Sequence, residues 1–88
     1  MRRREPIERT IRGIILPSDL DDDSDVTGIG IETADGEEYI IFMDRIGEEM
    51  MSFVDRQVEA TGTVKDMYGE LIFTVNSYSL LDANAIRA

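Results

Sequence analysis

The feature that most constrains this chain is the order of its periodicities. Three strand-like stretches are followed by one stretch of helical period and then by two more strands, all within 88 residues. A chain of this length makes one domain with one core. The fourth strand carries a glycine at its centre, in Val58-Glu59-Ala60-Thr61-Gly62-Thr63-Val64, and the first carries Gly13. Glycine inside a strand marks a bulge or sharp bend, which a small sheet needs to turn its corners and close on itself. The expectation is an all-β fold, a small five-stranded barrel with one short helix between strands 3 and 4.

Residues 1–6 read as a disordered basic arm, 7–81 as the folded domain and 82–88 as a frayed tail. Ile7 to Leu16 alternates loosely, bends at Gly13 and is expected to stop at Pro17. Ser18 to Asp25 is a polar loop with five aspartates. In the second strand, Val26 to Thr33, Ile29 and Ile31 share one face, and Gly28, Gly30 and Glu32 share the other. Asp35-Gly36 supplies a hairpin turn. Glu38 to Met43, apolar on both faces from Tyr39, predicts a third strand covered on both sides. Asp44 is a good N-cap, and Ile46, Met50, Phe53 and Val54 form one apolar stripe of a short helix. From Gln57 to Lys65, Val58, Ala60, Gly62 and Val64 point one way and Glu59, Thr61 and Thr63 the other. Asp66 to Glu70 is a turn. Leu71, Phe73 and Val75 alternate through the fifth strand, which runs on toward Leu80.

Charge narrows the function classes. Residues 1–12 hold five arginines and two glutamates, whereas residues 13–88 hold four basic and seventeen acidic side chains. An acidic body repels phosphate backbones, because nucleic-acid affinity rests largely on Lys and Arg displacing counterions. It favours solubility, cations or basic protein partners. Without cysteine there is neither disulfide nor thiolate metal site. Without histidine the usual general base and commonest metal ligand are missing. The serines therefore have no base to activate them, so no enzyme and no cofactor are expected. The longest apolar run, Tyr39 to Met43, is too short to span a bilayer. The arginines near the start precede no apolar stretch of a signal peptide, and the expected location is the cytoplasm.

The last two strands, Val58-Glu59-Ala60-Thr61-Gly62-Thr63-Val64-Lys65, the Gly69 turn and Leu71-Ile72-Phe73-Thr74-Val75-Asn76-Ser77-Tyr78, resemble those of the OB-fold superfamily, in particular its small bacterial single-domain members. The helix between strands 3 and 4 is similar to the family arrangement. The resemblance covers residues 7–81. It implies a Greek-key barrel with a binding face on strands 2 and 3, flanked by the loops joining strands 1 to 2 and 4 to 5. This chain departs from nucleic-acid-binding members in the first of those loops, where aspartates replace basic and aromatic residues.

Three sets of residues carry candidate chemistry. For single-stranded nucleic acid, Arg9, Arg12 and Lys65 are placed to meet phosphates, and Tyr39 and Tyr68 to stack on bases. The same residues also suit packing, with Tyr39 in the sheet and the arginines paired to carboxylates. Asp21, Asp23, Asp25 and Glu32 occupy positions 1, 3, 5 and 12 of a calcium-loop pattern. Val26 stands where that pattern needs glycine, and strands replace the flanking helices, so Ca2+ binding is the weakest expectation. Met51 and Met67 are the methionines suited to a pliable protein-interaction surface, while Met50 falls on the apolar stripe of the helix. The preferred reading is a non-enzymatic binding module with a protein partner. Single-stranded nucleic acid on the strand 2–3 face and a cation at the aspartate loop are the alternatives, and no membrane is involved.

Overall fold

The computed structural model describes residues 7–81. The arm at 1–6 and the tail at 82–88 lie outside the described residues. The elements are β1 (Ile7–Leu20), β2 (Val26–Thr33), β3 (Glu38–Ile41), α1 (Arg45–Met50), a 3-10 turn over Met51–Phe53, β4 (Gln57–Met67) and β5 (Glu70–Leu80). They close into one barrel in the order β1-β2-β3-β5-β4. Neighbours are antiparallel except β3 and β5, which run parallel over Ile40↔Ile72 and Ile41↔Phe73. The protein is thus a small all-β barrel with one short helix. Among the described residues, no helix is long and apolar enough to cross a membrane.

Strand alternation sends Ile11 and Ile15 of β1, Ile29 and Ile31 of β2, Tyr39 and Ile41 of β3, Val58, Ala60 and Val64 of β4, and Phe73 and Val75 of β5 into one core. Each fully buried aliphatic side chain is worth roughly 1.5–3 kcal/mol over its exposed state. Met50 of α1 joins this core with no exposed surface, as its place on the helical stripe predicts.

The two interior glycines stand where backbones approach. A Cβ on Gly13 would lie 2.2 Å from the Glu32 carbonyl oxygen, and one on Gly62 would lie 1.9 Å from that of Thr74. At Gly13, β1 changes partners: residues 7–14 pair with β4, and residues 13–20 with β2. Gly62 sits at the irregularity in the β4–β5 register. One strand can serve both halves of a barrel only where it bends this sharply.

Three boundaries differ from the sequence expectation. Pro17 does not end β1, which continues to Leu20 opposite β2. The Ile15 amide donates to the Arg56 carbonyl and the Ile15 carbonyl accepts from the Asp55 amide, so these groups point away from β2. Two residues on, the Pro17 nitrogen points the same way. The β1–β4 register has already ended at Ile14, so a missing N–H costs no ladder bond there. β3 stops at Ile41 rather than Met43. Phe42 is half exposed and donates its amide to Phe73, and Asp44 then caps α1 by accepting from the Gly47 amide at 3.0 Å. The β4–β5 turn tightens to Tyr68-Gly69, and Tyr68 adopts a φ of 54°.

Candidate binding surface

The structure divides the nucleic-acid set. Arg9, Arg12 and Tyr39 line one hollow of about 430 Å3 at the β1 and β2–β3 hairpin end, with Thr33 and Asp35 opposite. Tyr39 is 3% exposed, and its ring packs edge-on to Phe73 with centroids 5.8 Å apart. It therefore has no face free for a base, which corrects its expected stacking role. Its hydroxyl accepts from Arg9 at 3.2 Å and donates to the Glu37 carboxylate at 3.0 Å. Arg12 is paired with Glu59 at 3.1 Å. The Thr33 hydroxyl and the backbone at Glu37 donate to Asp35 and hold its carboxyl below the usual range, which keeps negative charge in the same hollow. Lys65 and Tyr68 lie apart from these three on the β4–β5 hairpin, where Tyr68 is fully exposed.

The aspartate turn places carboxylate oxygens of Asp21, Asp23 and Asp25 within 4.8 Å of one another, all on exposed residues. The Asp21 carboxylate also accepts from the Asp23 and Asp25 amides, each at 2.9 Å, so it shapes the turn itself. Glu32 is not in this group. It stands in β2 opposite Ile14 on one side and Glu38 on the other, because the segment after Asp25 is a strand and not a loop returning to the cluster. Of the two methionines, Met51 is half-buried against the core, and Met67 is exposed at the hairpin.

The outer face of the sheet holds a surface that the three sets do not contain. The register places Leu16 beside Gly30, Gly30 beside Ile40, and Ile40 beside Ile72, a row crossing β1, β2, β3 and β5. At strand spacings near 4.8 Å the row is about 14 Å long. Its large members are half-buried rather than enclosed. Carboxylates stand over it because β2 turns only hydrogens outward at Gly28 and Gly30. A Cβ on Gly28 would meet the Asp19 carboxylate at 3.1 Å, and one on Gly30 would meet the Glu38 carboxylate at 3.3 Å. Glu38 also lines a hollow of about 240 Å3 with Ile40, Gly69, Glu70 and Leu71.

Gly28 and Gly30 sharing a face is a signal present in the chain. What they make room for depends on register, which joins residues 16, 30, 40 and 72 from four separate strands. Among residues 7–81 there are five basic and seventeen acidic side chains, so this face sits in a strongly negative field. No protein-family model matches this sequence, and no curated protein matches it.

Proposed function

We propose that this chain is a non-enzymatic OB-like binding module that holds a protein partner on the outer face of β1, β2, β3 and β5. The observation that carries this reading is the apolar row Leu16–Gly30–Ile40–Ile72, with the Glu38 carboxylate over Gly30 and the Asp19 carboxylate over neighbouring Gly28. Apolar area supplies non-directional affinity. The acidic surround selects a partner of opposite charge and repels a phosphate chain. The strand order and the helix between β3 and β4 support the OB assignment, whose binding face on strands 2 and 3 forms the middle of this surface. The absence of histidine and cysteine from the sequence supports a binding rather than a catalytic role.

The test is a photo-crosslinking residue placed at Ile72 in cells that make the protein, with Ser52 on the far 3-10 turn as control. A discrete polypeptide adduct at position 72 and none at 52 is the expected result. Amide spectra of the same protein are then titrated with a mixed single-stranded oligonucleotide at low salt, and separately with calcium. Saturating shifts at Arg9, Lys65 and Tyr68 with the oligonucleotide replace the protein reading with the nucleic-acid one. Shifts confined to residues 19–32 at sub-millimolar calcium, without a polypeptide adduct, replace it with the cation reading.

A further inference from the structure

We infer that the hollow between β3 and the β4–β5 hairpin takes one basic side chain, arginine or lysine, from the partner polypeptide; this deepens the proposed function and rests on it. The hollow has two kinds of wall. Ile40 and Leu71 are half-buried and give it an apolar floor, and Glu38 and Glu70 bring a carboxylate from each flanking strand. The Glu38 carboxylate also lies 3.3 Å from where a Cβ on Gly30 would stand, so the glycine leaves room for it on this face. Neither glutamate has an ion-pair partner among the described residues, where Arg12 with Glu59 is the pair formed.

The hollow's shape and charge match one chemistry. A long basic side chain has an aliphatic stem that covers apolar surface and a charged head that seeks acceptors. Seated here, the stem lies on Ile40 and Leu71 and the head reaches the two carboxylates in charge-assisted hydrogen bonds. A carboxylate or phosphate entering the same hollow meets two like charges and no basic group. A purely apolar side chain fills the floor and leaves both carboxylates without a counter-charge. The hollow shares Ile40 with the outer row, so a segment that alternates basic and apolar side chains engages both at once.

The test uses the whole chain, labelled for amide spectra, and an acetylated, amidated peptide alternating arginine and leucine. The expected result is saturable shifts at Glu38, Ile40, Gly69, Glu70 and Leu71. Citrulline in place of arginine weakens binding roughly tenfold, as expected when a charged partner is removed. The double variant Glu38→Gln, Glu70→Gln weakens the arginine peptide to a similar degree. Both glutamates are exposed, and an unchanged spectrum of the free double variant confirms its fold. Equal affinity for the double variant, shifts centred on the aspartate turn at 19–25, or no saturable binding would each overturn the inference. The crosslink at Ile72 separates the two levels: an adduct there with an unresponsive hollow sinks the side-chain site alone, and no adduct sinks the broader reading.

Discussion

At the scale of single residues, the fold is held to its shape by side chains that are absent as much as by those present. Gly62 has the Thr74 carbonyl 1.9 Å from where a Cβ would be, and that neighbour is backbone and cannot swing aside. Gly62→Ala is expected to destabilise the protein by about 3 kcal/mol, an overpacking cost, read as a lower urea midpoint with an unchanged slope. Tyr78 gives a second residue-level expectation. Burial, and then the Glu49 carboxylate that accepts its hydroxyl proton at 2.8 Å, push its phenol up to about 12 from an ordinary 10.0. The folded state therefore keeps a proton that the unfolded chain has released, and the stability it contributes is complete below pH 10 and lost as pH rises toward 12. Absorbance of tyrosinate should show a phase near pH 12 in the wild type, and Tyr78→Phe should remove it along with that portion of the alkaline loss. Tyr39 shows why the candidate site was less legible than the core. As a residue type it suits stacking on a base, but its position in alternation with Ile41 sends the ring inward against Phe73. Only the phase of a four-residue strand separates the two outcomes.

At the scale of elements, α1 is short and depends on its cap. It spans six residues, too few to be stable alone. Asp44 satisfies the Gly47 amide, Glu48 complements the first turn, and Met50 anchors the other end in the core. Asp44→Ala is expected to cost about 1 kcal/mol, seen in equilibrium denaturation, with faster hydrogen exchange at the Gly47 and Glu48 amides before global unfolding. This element was legible because a cap followed by a helical stripe is a local pattern. So was β4, where Val58, Ala60, Gly62 and Val64 lie inward as their alternation requires. The end of β1 was not, because Pro17 stops a strand only if its nitrogen faces a partner, and that depends on where β4 runs out. Nor was the end of β3. The run Tyr39 to Met43 is uniformly apolar, and the chain leaves the sheet where Asp44 begins the helix rather than where hydrophobicity falls. The outer row is the extreme case: its members are single residues in four strands, and no window of sequence contains them together.

At the scale of the whole molecule, seventeen carboxylates among residues 7–81 face five basic groups, and only one close ion pair, Arg12 with Glu59, forms among those residues. Self-repulsion of this kind destabilises the compact state and is screened by salt. Raising sodium chloride from about 20 mM to about 200 mM halves the screening length or more, and thermal unfolding should move to higher temperature without a change in cooperativity. The same step should weaken the arginine–leucine peptide, so stability and partner affinity are expected to respond to salt in opposite directions. The open side of β1 has a further consequence. Beyond Ile15, no strand among the described residues pairs with that side of β1, and an unpaired edge invites a second chain to extend the sheet. Pro17 withholds the donor an incoming strand would need, and Asp19 brings a charge close beside it. Pro17→Val should restore the donor, and sedimentation velocity should then detect more concentration-dependent self-association in the variant than in the wild type. The residue that looks like a strand terminator is in this sense a block against edge-to-edge pairing, since it removes from this edge the one donor a second strand would need there.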